Sequence, residues 1–127
     1  MSGLFYKTLL IDLSKHLEMQ PLAFDAQGIC NLVIDETFAL KLVCNDVHER
    51  LLLMGLLELP KNPPLQRLLG GALNPMVTAG PGLGWDERSG LYFAYQSISR
   101  EKVSVPTVIR EIAALVEWIK RWRDIHP

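Results

Sequence analysis

The residues able to do chemistry fall in a few places along the chain, and their spacing decides what each can do. His48-Glu49-Arg50-Leu51-Leu52 begins as a zinc-protease helix does, but leucine stands where the second histidine must come one helical turn later. The segment also falls at the start of an expected strand, so it is not a metal site. Cys30, Cys44, His16 and His48 follow no metal-ligand spacing, and the two cysteines read as buried, reduced thiols. Gly80, Gly82 and Gly84 resemble a phosphate loop in composition only. Trp85 follows them in place of a Gly-Lys-Ser/Thr run, and they lead into a strand rather than opening a helix. No serine occupies a Gly-x-Ser-x-Gly elbow. The paired carboxylates Asp35-Glu36 and Asp86-Glu87 sit at expected hairpin turns, where short polar side chains serve backbone geometry. Acid and base work needs a pocket that shifts pKa values, and nothing in the pattern supplies one. The expectation is no catalytic residue, no cofactor and no metal.

The elements around these residues follow from hydrophobic periodicity. From Leu4 to Met19, Tyr6, Leu9, Leu10, Leu13 and Leu17 recur at helical spacing, with Lys7, Asp12, Lys15 and Glu18 elsewhere on the wheel. Pro21 stops that helix, and Asp25-Ala26-Gln27-Gly28 reads as a turn. Strands are expected over Ile29 to Ile34, Thr37 to Cys44 and Arg50 to Leu56, joined by connections short enough for antiparallel hairpins. After Pro60 a middle helix carries Leu65, Leu68, Leu69 and Leu73 as its apolar stripe, with Pro63 and Pro64 in its first turn. Gly70 and Gly71 inside it cost about 1 kcal/mol each against alanine, which suggests close approach of another backbone. A second hairpin follows, Leu83 to Trp85 and Leu91 to Ile98. The last helix places Val108, Ile112, Leu115, Val116, Ile119 and Trp122 on one face, with Pro106 in its first turn and Glu117 one turn from Arg121. Lys120, Arg121 and Arg123 read as its solvated, dipole-complementing last turn. The expected fold is α+β in the order α-β-β-β-α-β-β-α, a twisted antiparallel sheet packed with three helices in a single domain over residues 1–127.

Strand faces carry more information than strand positions. Phe38, Leu40 and Leu42 alternate with Thr37, Ala39 and Lys41, as in a half-buried strand. The third strand is apolar on both faces, Leu51 and Leu53 on one and Leu52, Met54 and Leu56 on the other. A sheet apolar on both sides needs two covers, supplied either by this chain's helices or by another chain.

Composition narrows the functional classes. The chain has 127 residues, 49% hydrophobic and 21% charged, which suits one globular domain. Its 13 basic and 14 acidic side chains leave no net field for phosphate, so nonspecific nucleic-acid binding is not expected. The longest uncharged stretch is rich in glycine and proline and is not expected to span a membrane. The N-terminal residues, with Lys7 and Asp12 among them, do not read as a signal peptide.

Motifs in order along the chain carry a resemblance. His16-Leu17-Glu18-Met19, Pro21-Leu22-Ala23-Phe24-Asp25 and Gly28-Ile29-Cys30-Asn31-Leu32-Val33-Ile34-Asp35 look like the opening of the class I type III secretion chaperones, the Tir-chaperone family. Leu57-Glu58-Leu59-Pro60, Leu68-Leu69 with Asn74, and Gly82-Leu83-Gly84-Trp85-Asp86 continue it in the family's order. The resemblance implies a cytosolic bacterial homodimer that binds the N-terminal segment of a secreted effector in extended form, keeps it secretion-competent and hydrolyses no ATP. Contact with the secretion ATPase is implied as well. The alternative is a regulatory adaptor of the same fold that sequesters a secretion regulator. Leu13, Leu17, Ile29, Val33 and Leu53 are the expected effector contacts. Leu65, Leu68, Leu69, Leu73, Trp85 and Tyr92 are the expected dimer interface. Extended peptides bind by main-chain pairing and apolar pockets, which accounts for hydrophobic strands with too little cover.

Overall fold

The computed structural model describes residues 2–45, 49–58 and 81–125. Helix α1 (Ser2–His16) precedes strands β1 (Ile29–Ile34), β2 (Phe38–Asn45) and β3 (Arg50–Leu57); β4 (Gly82–Asp86), β5 (Leu91–Ser99), a 3-10 turn (Arg100–Lys102) and helix α2 (Val105–Ile125) complete the set. The expected middle helix, with Leu65, Leu68, Leu69 and Leu73, lies outside the described residues. The strands form one five-stranded antiparallel sheet in the order β1-β2-β3-β5-β4. Among the described residues no helix is long and apolar enough to cross a membrane.

Alternation along the strands separates two faces. Leu32, Leu40, Leu42, Leu51, Leu53 and Ala94 are buried on the inner face, in one cluster with Tyr6, Leu9, Leu10 and Leu13 of α1 and Val108, Ile112, Leu115 and Ile119 of α2. Gly55 lies where α2 crosses this face: a β-carbon there would stand 2.5 Å from Cδ1 of Ile119. Its missing side chain lets the helix sit close to the sheet. The outer face is crossed by two rows of paired residues, Asn31, Lys41, Met54, Tyr95 and Gly82, and Ile29, Val43, Leu52 and Ser97. Leu52, Met54 and Leu56 are only half-buried there, as two apolar faces on β3 lead one to expect.

Local backbone chemistry sets the boundaries. Helix α1 stops at His16, short of the expected Met19, because the Glu18 N–H donates to the Lys15 carbonyl (3.2 Å) and the Met19 N–H to the Ser14 carbonyl (3.0 Å). This closure requires Glu18 to adopt a left-handed backbone, φ 54°. Asp35 and Glu36 (φ 52° and 57°) are the left-handed residues of the three-residue connection 35–37 between β1 and β2, closed by the Thr37 N–H on the Ile34 carbonyl at 3.1 Å, so β2 begins at Phe38, one residue after the expected Thr37. At the β4–β5 turn the Asp86 carboxylate accepts from Ser89 Oγ (2.8 Å) and the Arg88 N–H (3.2 Å), which holds its pKa below the ordinary value. Ser104 Oγ caps α2 by accepting the Thr107 N–H at 3.2 Å. Glu117 and Arg121 pair at 3.6 Å, as their one-turn spacing predicts. Arg123 corrects the expectation of a fully solvated last turn: its guanidinium lies 4.8 Å from the Phe38 ring and 3.6 Å from the Glu58 carboxylate, drawn in by a cation–π contact and an ion pair.

Candidate functional site

Strand order makes β1 an edge, and hydrogen-bond parity decides what that edge offers. The Cys44 N–H donates to the Gly28 carbonyl at 2.9 Å, so Gly28, Cys30, Leu32 and Ile34 spend their backbone groups on β2. Ile29, Asn31 and Val33 therefore turn theirs outward. Asp25 closes the first of these positions: its N–H donates to the Ile29 carbonyl (2.9 Å) and its carboxylate accepts the Ile29 N–H (3.0 Å). Among the described residues nothing bonds to the outward N–H and C=O groups of Asn31 and Val33. This is a short, open template for one extended peptide strand. Val33 is 51% exposed beside it on the outer face.

At the Ile29 end of this edge a groove of about 540 Å³ opens between α1 and the segment that follows it. Tyr6, Leu10, Leu22, Phe24 and Cys44 give it apolar walls, and Lys7, Asp25 and Gln27 line it as well. Tyr6 and Phe24 meet edge to face, with centroids 6.0 Å apart. The segment is fastened to α1 by Ser14, whose buried hydroxyl donates to the Leu10 carbonyl (2.6 Å) and accepts the Leu22 N–H (2.9 Å). Cys30, near the start of β1, is buried, and burial pushes its thiol above its ordinary pKa, opposed by a hydrogen bond with the Ala23 backbone and reinforced by the Asp25 charge. Neither cysteine forms a disulfide, and among the described residues no cluster of His, Cys, Asp or Glu is arranged to hold a metal ion.

The structure redistributes the expected effector contacts. Leu13 and Leu53 are fully buried in the core between helices and sheet and present no surface to a partner. This corrects the expectation, since both side chains point inward, toward the face the helices cover. Leu17 packs half-buried against that core. Ile29 is half-buried and Val33 exposed, both on the outer face, so the sheet separates them from Leu13 and Leu53. Of the expected interface residues, Trp85 is 57% exposed on edge strand β4 and pairs across with half-buried Tyr92. Leu65, Leu68, Leu69 and Leu73 lie outside the described residues. The sequence reading missed Asn31, Tyr6, Leu22 and Phe24; the one local signal was a polar Asn31 inside an otherwise apolar strand.

The model of the Tir chaperone protein (CesT) family matches residues 8–123. No curated protein matches the chain. Among solved structures, the chain is similar to one in the HopA1-SchA chaperone-effector complex, with 65% sequence identity, a TM-score of 0.88, and coverage of 98% of this chain and 97% of that one. It is similar to a chain of the ExsC-ExsE complex at 21% identity and TM-score 0.85, covering 98% of this chain and 96% of that one. A third likeness, at 14% identity and TM-score 0.71, is to the structure of the Yersinia pestis type III secretion chaperone SycH in complex with a stable fragment of YscM2, covering 91% and 98%. The last two bear on fold alone.

Proposed function

The chain belongs to the Tir chaperone (CesT) family, and from that premise we propose that it binds the N-terminal segment of a secreted effector in extended form, keeps it soluble and secretion-competent, and delivers it to the type III secretion apparatus. The observation that carries this reading is the open β1 edge at Asn31 and Val33, beside an apolar groove walled by Tyr6, Leu22 and Phe24. Main-chain pairing there holds an extended segment of almost any sequence, and the groove takes an apolar side chain. Each leucine so buried contributes about 1.5–3 kcal/mol. The chemistry is binding alone, without catalysis, metal or cofactor, in the bacterial cytoplasm.

The reading includes a homodimer whose interface takes in Leu65, Leu68, Leu69 and Leu73 with Trp85 and Tyr92. Support comes from the exposure of Trp85 on an edge strand and from the half-buried outer face of β3. Light scattering is expected to give twice the chain mass of 14.3 kDa; a mass of one chain contradicts the dimer.

The test of function is to purify the chain from cells carrying a type III secretion system, digest the complex with a protease and identify the protected polypeptide by mass spectrometry. The N-terminal segment of a secreted protein is expected. Protection of a non-secreted regulator, or of nothing, contradicts the proposal.

A further inference from the structure

A second concave surface lies at the end of the sheet where β3 begins, β5 ends and α2 starts. We propose that this trough, built on Arg50, Lys102 and Arg110, docks an acidic segment of a partner polypeptide. It encloses about 590 Å³. Its cations come from separate elements, Arg50 from β3, Lys102 from the 3-10 turn and Arg110 from α2. Ser97, Ser99 and Thr107 add neutral hydroxyls to the lining.

Among the described residues these charges are only partly compensated. Arg50 Nε donates to Ser97 Oγ, a neutral acceptor. No carboxylate among the described residues pairs with Arg50 or Lys102. Among the described residues Arg110 meets only Glu111, at 3.8 Å, and Glu111 is the one carboxylate of the lining. Glu49 and Glu101, next in sequence to Arg50 and Lys102, are exposed and stand outside the lining. A concave, polar surface with cations in excess focuses a field that attracts anions, and the capped N-terminus of α2 adds to it.

The kind of anion follows from extent and geometry. With 13 basic against 14 acidic residues the chain has no broad cationic field of the sort a nucleic-acid backbone engages. The trough is instead the size of a small-ligand pocket. Arginine forks beside hydroxyl donors match carboxylates carried on a short peptide.

The test uses the full chain and fluorescence anisotropy with labelled hexaglutamate, hexaserine and a short oligothymidine. Hexaglutamate is expected to bind, the other probes not, and binding should weaken as salt rises from about 0.05 to 0.5 M. Lys102→Glu with Arg110→Glu should lower hexaglutamate affinity about tenfold or more. Lys120→Glu with Arg121→Glu, at the far end of α2, should leave it unchanged. Should the first pair unfold the protein by circular dichroism, Lys102→Ala alone is expected to weaken binding about twofold or more. Equal binding of hexaserine, preference for oligothymidine, or equal loss in the Lys120/Arg121 pair overturns the proposal. Val33→Asp, which reads on the β1 edge, should leave hexaglutamate binding intact, so the two readings fail separately.

Discussion

The hydroxyl of Ser14 and the backbone N–H of Leu22 meet at 2.9 Å, joining the last turn of α1 to the extended segment that walls the groove. Ser14 is 3% exposed, so its replacement by alanine leaves the half-buried Leu22 N–H without its acceptor. Ser14→Ala should lower unfolding free energy by about 1–3 kcal/mol in urea titrations. It should also speed amide exchange at Leu22. Unchanged exchange there would mean that the segment is held by packing alone.

Glu18 ends α1 with a left-handed backbone, a conformation that glycine adopts without strain. Glu18→Gly should therefore raise stability, by about 0.5–1 kcal/mol after the greater freedom of the unfolded glycine is subtracted. Thermal unfolding reads the sign directly.

Gly55 produces the opposite outcome. A β-carbon there meets Ile119, Leu40 and Leu115, none further than 3.2 Å, beneath the helix that roofs the sheet. Gly55→Ala should destabilise by about 1–3 kcal/mol, and Gly55→Val by more. Restoration of stability on combining Gly55→Ala with Ile119→Val would identify the clash as the cause.

The two thiols should react in separate phases. Burial raises the pKa of Cys30, so at pH 8 less of it is thiolate than of an ordinary cysteine, while Cys44 is half-buried in the groove wall. An aromatic disulfide reagent should modify Cys44 first and Cys30 slowly, with the slow phase accelerating as pH rises. Cys30→Ser should leave only the fast phase. A Cys30 that reacts as quickly as an exposed thiol at pH 8 contradicts the burial of its side chain.

Strand positions were legible because alternation is a local property: Phe38, Leu40 and Leu42 announce their inward face in the sequence itself, and β1 spans Ile29–Ile34 as expected. The site was less legible. Leu13 and Leu53 share their residue type with surface leucines, and only the packing of both helices onto one face assigns them to the core. That β1 is an edge depends on β4 and β5 joining the sheet beyond β3 and not beside β1, and β5 inserting between β3 and β4 makes β4 the other edge; these are long-range pairings that the order of strands in the sequence does not state. The open groups at Asn31 and Val33 belong to the backbone, which the sequence does not distinguish from residue to residue. Arg123 was misjudged for a related reason, since its partners Phe38 and Glu58 are far from it in sequence.

The claim that an effector segment pairs with β1 is tested most directly at Val33, whose N–H points outward and whose side chain is exposed. Val33→Pro removes that donor and blocks strand addition at a position where an edge strand tolerates proline. Co-purification of the effector segment with this variant is the measurement, with circular dichroism to confirm the fold. A folded protein from which the effector segment is lost is expected, whereas a folded variant that retains it undiminished would contradict pairing at this edge.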